Sequence, residues 1–399
     1  MSLSHFLNIV TNGLVLYLDA ANPKSYNSSE NLLTYSEEFD NIIWSKSNSS
    51  ITTNQAIAPD NTLTADLWIP NLTSDSRLTT QSVKPNNTYT LSFYVKSAGL
   101  TVLRTHMLGR TPTDSPSEFV VEFNLSTGTA SFVIIGNGVS ASIKNVGNGW
   151  FRCICVYTKT GSSTDLETRI GQYNTGDGTS GFYFWGAQLE NGSTVSKYTI
   201  TTNAAITRST SWLDISNNNI ANGTISSGFE FDNKNSGGII FNGTSSTCSL
   251  TDNSATRFPH DSAWSISLWC KPITQNITYP GFLIKGNSIL SGVLIYYTAA
   301  GIYWKHNATD LQITTTDLGV TKNICLTYAG SGSVNRYVNG VNVGTVGTMV
   351  STETSSTLIL GSGDQLGNVE IYNFAKYNTA LSATDVLQNY NALRGRYGV

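Results

Sequence analysis

The chain has 399 residues, enough for two or three domains with proper cores, and only 12% are charged against roughly 25% in an average protein. A net charge of −3 supplies no electrostatic reason to bind nucleic acid or anionic lipid, and 39% hydrophobic residues exclude the signature of intrinsic disorder. Asn, Ser, Thr and Gly fill the charge deficit while aromatics reach 11%, a balance that suits short strands joined by tight polar turns.

The opening "MSLSHFLNIVTNG" lacks a cationic run and a long apolar stretch, so no signal peptide is expected. Phe6, Leu7, Ile9 and Val10 make residues 1–12 a short apolar arm, which either docks on a neighbouring protein or extends an edge strand. In "GLVLYLDAANPKSY", residues 13–26, Leu14, Leu16 and Leu18 alternate as one face of a first β-strand, and a loop follows. No partner strand returns. The chain begins "NLLTYSEEFDNIIWSK" instead, as though a second module had started.

Strand-like runs then recur. The clearest in the first half are "YTLSFYVKSA", "EFVVEFNLSTGTASFVII", "GWFRCICVYTKT" and "GFYFWGAQLE". In the second half "GGIIFNGTSSTCSL", "WSISLWCKP", "GVLIYY", "GIYWKH", "NICLTYAG", "NRYVNGVNVGTV", "TLILGS" and "NVEIYNF" stand out. Two hairpins are explicit, one at "STGT" and one at Asn339-Gly340, where a type I′ turn needs positive φ at both central residues. One helix is expected, in "LSATDVLQNYNALRGRYG": Ser382 and Asp385 give the start signal, Val386, Leu387, Tyr390 and Leu393 the apolar stripe, and Gly395 the stop. That stripe is expected to pack on the outside of a sandwich. The most apolar stretch, "GVLIYYTAAGIYW", is too short and too polar to span a membrane.

Five cysteines, Cys153, Cys155, Cys248, Cys270 and Cys325, are odd in number and irregular in spacing, which argues for structural thiols in a reducing compartment. The frequent N-x-S/T triplets arise by chance in a chain so rich in these residues. The four histidines, His5, His106, His260 and His306, form no metal-ligand pair. "GDGTSG" at 176–181 matches G-x-G-x-x-G but precedes a strand, so it reads as a turn. Glycoside hydrolysis needs two facing carboxylates. The nearest pattern, Glu230 and Asp232 in "FEFDNKN", has Asn235 where the jelly-roll glucanases (E-x-D-x-x-E) carry a third acid, and it reads as a connecting loop.

Two resemblances cover nearly the whole chain. "GLVLYLDAANPKSY", "WLDISNNNIANGTI", "GGIIFNGTSS", "WSISLWCKP", "NICLTYAG", "YVNGVNVGT" and the C-terminal "GNVEIYNFAKYNTALSATDVLQNYNALRGRYG" together resemble the laminin-G-like, concanavalin A-like jelly rolls of tailed-bacteriophage structural proteins, notably of cyanophages. In that pattern W-x-D-x-S follows the first loop within a few residues, yet here Tyr26 and Trp212 are far apart. The intervening "NLLTYSEEFDNIIWSK", "APDNTLTAD", "YTLSFYVKSAG", "FNLSTGTA", "GWFRCICVYT" and "FYFWGAQLENGSTVSKYTITTNAAITR" resemble a carbohydrate-binding-module-like β-sandwich of phage virions.

The expected fold is therefore all-β: two β-sandwich (jelly-roll) domains, one inserted in the other, with a short C-terminal helix. Residues 13–29 plus 209–399 form the discontinuous host and 30–208 the guest; tandem domains behind a free arm are the alternative. The resemblance implies a non-enzymatic virion protein, in the capsid decoration or the tail fibre, that contacts other virion proteins as a multicopy assembly or homo-oligomer. It also implies weak multivalent adhesion to host polysaccharide. A free-standing lectin or a carbohydrate-active enzyme is the competing class. No cofactor is implied beyond calcium at the rim of laminin-G-like domains, and no acidic cluster in the sequence fixes one.

Sugars lay their C–H faces on exposed aromatic rings, and burying one ring is worth on the order of 2–3 kcal/mol, so single sites are weak. The best stretch is "GIYWKHNATD", where Tyr303 and Trp304 point to opposite faces of a strand and His306, Asn307 and Asp310 supply polar groups. Trp68, and an outward set of Tyr94, Arg104 and His106, are the candidates in the guest. Trp44, Trp150, Trp185, Trp212, Trp264 and Trp269 are expected in cores.

Overall fold

In a computed structural model the described residues are 8–399 except 72–75, 110–117, 163, 174–175, 234–236, 276–277, 287–291, 307–308, 316 and 351–355. The chain divides into two compact units, one of Met1–Ser28 with Ser209–Val399 and one of Ser29–Arg208.

The first unit is a sandwich of two eight-stranded antiparallel sheets. One sheet runs Glu230–Asp232, Gly238–Asn242, Asn368–Tyr377, Ala263–Pro272, Lys322–Ala329, Ser333–Val338, Val341–Thr348. The strand Gly238–Asn242 covers only the first half of Asn368–Tyr377, from Asn368 to Ile371. The opening strand Leu14–Asp19 takes the second half, with Leu18 opposite Phe374 and Asp19 opposite Asn373. Leu16 and Leu18 enter the sandwich interior beside Ile266, Leu268 and Phe374, each fully buried. A bulge between Leu14 and Leu16 breaks the alternation, so Leu14 turns instead to an outer cluster with Val10 and Tyr17.

The W-x-D-x-S segment ties the two parts of this unit together. Trp212 is fully buried in the core. Asp214 accepts the amides of Tyr17, Ser216 and Ile220 on its carboxylate. Ile215 donates to the Tyr17 carbonyl, Ser216 Oγ to the Val15 carbonyl, and Ser209 to the Asn27 carbonyl. One carboxylate thus satisfies three backbone donors that burial would otherwise leave unpaired.

The other sheet runs Ser211–Trp212, Gly223–Ile225, Cys248–Leu250, Leu358–Leu360, Gly281–Lys285, Val293–Tyr297, Ile302–His306, Thr309–Thr314. Its inward side chains include Phe282, Ile295, Tyr297, Ile302 and Trp304. At the Asn339-Gly340 turn φ is +50° and +78°, the pair of values a type I′ turn requires.

The helix Ala383–Tyr397 starts at Ser382 in a capping box with Asp385. It does not stop at Gly395: it runs to Tyr397, and Gly398 takes the left-handed cap at φ +73°. An interior glycine costs about 1 kcal/mol, which burial of Tyr397 against Trp269 and Tyr372 offsets. The buried positions are Val386, Asn389, Leu393 and Tyr397, while Leu387 is exposed. Asn389 holds the described part of the N-terminal arm by accepting the Val10 amide at 2.7 Å. That segment, Asn8 to Asn12, lies on the helix as irregular chain and extends no strand; Phe6 and Leu7 fall outside the described residues. Trp269 is buried, but beneath this helix on the outer face of the sheet and not in the sandwich interior.

The second unit is also a sandwich, of two six-stranded antiparallel sheets. One runs Gly138–Gly147, Trp150–Thr158, Thr88–Ala98, Gly181–Asn191, Ala65–Pro70, Ser49–Ala56; the other Ser45–Ser47, Ser76–Val83, Asp165–Tyr173, Val102–Gly109, Phe119–Asn124, Thr129–Ile134. Phe184 lies centrally among Phe39, Trp68 and Phe93, at ring distances of 5.9–6.1 Å. Trp44 is interior as well, whereas Trp150 and Trp185 are buried in a separate outer cluster with Ala58 and Ala65. Cys153 and Cys155 are buried free thiols on the core side of one strand, and burial pushes both up. The ends of this unit are tied by a bridge between Asn31 and Ile206. Beside it Arg208 stands 3.2 Å from Glu30 and 3.9 Å from Glu190, all three buried.

Excising Ser29–Arg208 and bridging the ends with a short Gly/Ser linker is expected to leave a protein that melts in one cooperative transition by calorimetry. In that protein Leu16→Ala should cost about 2–5 kcal/mol. A non-cooperative melt of the excised protein would contradict the pairing of the opening strand with the C-terminal sheet.

Asp66 generates a second expectation. It is 1% exposed and accepts the amides of Phe39 and Asn54, both at 3.0 Å. Burial outweighs those bonds and pushes its carboxyl up to about 6. A raised folded-state value means the folded chain holds this proton more tightly, so its stabilisation is complete below pH 3.8 and is lost as pH rises through about 6. Stability, and thermal midpoints with it, should therefore rise between pH 7 and pH 5, with an Asp66 share of about 1 kcal/mol. Asp66→Asn should flatten that slope; an unchanged slope would remove Asp66 from the account.

Candidate functional site

On the second sheet of the first unit, Ile295 and Tyr297 point into the core, and so do Ile302 and Trp304 on the next strand. Alternation turns Tyr296 and Tyr303 to the outer face. They are direct cross-strand partners, with rings stacked 5.2 Å apart at an interplanar angle of 15°. Tyr279 meets Tyr296 edge-on at 5.5 Å and is 44% exposed, so it forms the open end of a row of three tyrosines. Its amide donates to Gln365 Oε1.

Charged groups flank this row. Lys305, two residues after Tyr303 and on the same face, places Nζ 6.0 Å from the Tyr279 ring centre. The same nitrogen is 3.8 Å from Asp310 and 3.7 Å from Asp364. Both ion pairs are long and rim-exposed, so they order the side chains more than they stabilise the fold. Burial, with Asp310 nearby, raises the Tyr296 hydroxyl and keeps it a neutral donor. Tyr296 is only 3% exposed, so the row presents the half-bare ring of Tyr279 and part of Tyr303, edged by an ammonium and two carboxylates: a small apolar surface that an apolar face can cover, with polar groups beside it for hydroxyls.

The structure divides the residues expected from "GIYWKHNATD". Tyr303 and Asp310 belong to this face. Trp304 does not: it is 1% exposed and lies 5.9 Å from Trp264 inside the sandwich. His306 shares its inward parity and is 5% exposed. Its Nε2 accepts the Val350 amide at 3.1 Å, so Nδ1 carries the proton donated to the Gly292 carbonyl. Both ring nitrogens are thereby engaged. Asn307 lies outside the described residues.

The candidates in the second unit do not form a site. Trp68 is fully buried against Phe182 and Phe184. Tyr94 is on one sheet, with Arg152 over its ring and Trp185 and Tyr198 packed around it. Arg104 and His106 are on the other sheet, paired with Glu122 at 3.1 Å and Glu118 at 2.9 Å. The outer faces of a sandwich point in opposite directions, which separates Tyr94 from the other two.

Glu230 and Asp232 lie in a strand paired with Gly238–Asn242, not in a connecting loop, while Asn235 lies outside the described residues. Phe231 faces the core, so the two acids face outward beside Glu370. Glu370 is 1% exposed and ion-paired with Lys271; burial raises its carboxyl. It stands out as a perturbed carboxylate that the reading of the sequence passed over, although Val369 and Ile371 on either side had marked it as outward. Tyr279, Tyr296, Lys305 and Asp364 were passed over too, because their association depends on strand register. "GDGTSG" is a turn in which Asp177 accepts the amides of Thr179 and Ser180.

A cleft of about 800 Å³ adjoins the helix, lined by Asn8, Thr11, Tyr17, Asn217, Asn391 and Arg396 among others. Arg396 is committed to Asp19 at 2.6 Å. Among the described residues no three His, Cys, Asp or Glu side chains gather to hold a metal, so the calcium implied by resemblance has no ligand set there. No helix among them is long and apolar enough to cross a membrane.

Residues 242–387 match the profile of the concanavalin A-like lectin/glucanases superfamily, laminin-G type. The sandwich of the first unit is thus a jelly roll of the concanavalin A-like kind. Similar solved structures include the binding domain of Paraclostridial Mosquitocidal Protein 1, at 18% identity and TM-score 0.39, over 45% of this chain and 49% of that one. The botulinum neurotoxin serotype D binding domain matches at 15% and 0.38, over 45% and 48%. Domain 4 of AbnA, a GH43 extracellular arabinanase from Geobacillus stearothermophilus solved with arabinotriose, matches at 20% and 0.36, over 44% and 91%. The chain spans about half the length of the first two. No curated protein matches it.

Proposed function

We propose that the chain is a non-catalytic glycan-adhesion protein, displayed in many copies on a tailed-bacteriophage virion. The observation that carries the adhesive part is the outward row Tyr279–Tyr296–Tyr303 with Lys305, Asp310 and Asp364 at its rim. The superfamily match of residues 242–387 supports the same reading. The non-catalytic part draws support from Glu370, the buried carboxylate beside Glu230 and Asp232, being engaged by Lys271. Covering one half-exposed ring contributes about 1–1.5 kcal/mol, roughly tenfold in affinity. Binding by one copy is therefore weak, and adhesion depends on copies acting together. The motif resemblance to phage proteins supports the virion as the platform that supplies those copies.

Displayed multivalently on a glycan array, the wild-type chain is expected to bind a subset of polysaccharides, and Tyr303→Ala or Tyr279→Ala to weaken binding about tenfold per site. Binding unaffected by either change would overturn the assignment of this face. Release of reducing sugar from a bound glycan would replace adhesion by hydrolysis. An antibody against the chain should decorate intact phage particles from the source culture; labelling confined to other fractions would remove the virion from the reading.

A further inference from the structure

Among the described residues of the second unit, the strand Thr129–Ile134 ends its sheet and pairs only with Phe119–Asn124. Likewise among the described residues, the strand Gly138–Gly147, which follows after a tight turn, ends the opposite sheet and pairs only with Trp150–Thr158. Both sheets are therefore open along this side of the sandwich. The side chains there are apolar and bare: Phe132 is 49% exposed, Ile134 41%, Ile135 59% and Val139 56%. Phe132 is the telling one. It sits opposite Val121, a core residue, and leans on Phe119 at 5.8 Å, so it points to the interior and yet half its ring is uncovered.

Edge strands of monomeric proteins are protected by charges, proline, bulges or short length. Here no charged residue and no proline occurs from Phe123 to Ile143. A register shift falls at Val133, which leaves Thr129 to Phe132 regular with unpaired backbone groups on the outer edge. Of the other outer strands, Ser49–Ala56 is polar, Glu230–Asp232 is short and acidic and Thr309–Thr314 carries Asp310; Val341–Thr348 is also uncharged, with Val341 61% exposed, but it presents no aromatic ring.

We infer that this edge is an interface between two copies of the chain, joined by antiparallel pairing of Thr129–Ile134 with itself. Charge-free apolar surface meets its own copy without repulsion, and pairing a strand with itself closes on a two-fold axis. Centring the axis on Ser131 sets Phe132 of each copy opposite Ala130 of the other on the inner face. A small residue then faces the uncovered ring. Ser131 meets its counterpart on the outer face. The exposed side chains amount to a patch on the order of 500 Å² per copy, so two copies bury roughly 1,000 Å² before main-chain contacts, the size a specific interface needs.

Sedimentation equilibrium of the full-length chain tests this. Wild type is expected at twice 43.1 kDa at tens of micromolar, dissociating on dilution. Ser131 is exposed and opposite Glu122, so Ser131→Lys and Ser131→Glu leave the core untouched, and unchanged circular dichroism verifies folding. Each variant alone places like charges opposite one another and should weaken self-association at least tenfold; an equimolar mixture of the two should restore the doubled mass. A wild type that stays at 43.1 kDa, an open-ended series of masses, or a doubled mass insensitive to both variants would overturn the interface.

Discussion

The pairing of Leu14–Asp19 with the second half of Asn368–Tyr377 is the contact on which the first sandwich depends. Gly238–Asn242 is too short to reach that half, so without the opening strand a buried central strand would present unpaired amides and carbonyls. The hydrophobic gain and the hydrogen-bond requirement act at the same place. Leu16 and Leu18 fill the interior while their backbone completes the ladder. Asp214 joins this strand to the resumed chain by taking three amides at once. The cost of closing so long a loop grows only logarithmically with its length, and the inserted residues carry a core of their own.

The same alternation that builds these cores decides what reaches the surface. Each strand that sends a Trp, Ile or Phe inward sends its neighbour outward, and the outer faces then diverge. On the first unit one outer face is sealed by the helix through Trp269, Tyr372 and Tyr397. The other carries the tyrosine row with its charged rim. On the second unit Tyr94, Trp185 and Tyr198 cover one another, and the opposite face is occupied by ion pairs such as Arg104–Glu122 and Arg169–Glu167. The half-bare aromatic rings are thus Tyr279, beside the tyrosine row of the first unit, and Phe132, on the open edge of the second among exposed aliphatic side chains.

Much of the fold was legible in linear pattern. Period-two runs such as "WSISLWCKP" and "NVEIYNF", the Asn339-Gly340 turn and the Ser382–Asp385 capping box all have local physical causes, and each element formed. The misreadings share one origin. Leu14 left the core because a bulge, invisible in the sequence, broke alternation. The helix passed Gly395 because Trp269 and Tyr372 waited beneath Tyr397. Trp304 and Tyr303 had equal claims to the surface until the partner strand showed which side faced the core.

By itself the sequence determined the all-β class, many of the strands, the Asn339-Gly340 turn and the C-terminal helix, but it passed over strands such as Ser76–Val83 and Asp165–Tyr173 and took Glu230–Asp232 for a loop. The features it determined follow from composition and from spacings of two and of three to four residues, which are properties of neighbours along the chain. Only the tertiary structure decided which strands lie side by side, and with that which aromatic rings are covered. Tyr279, Tyr296 and Tyr303 come into one row through register and sheet order, and Phe132 stays half bare because no further strand among the described residues pairs beyond its own. Register is fixed by long-range burial, and no local spacing encodes it.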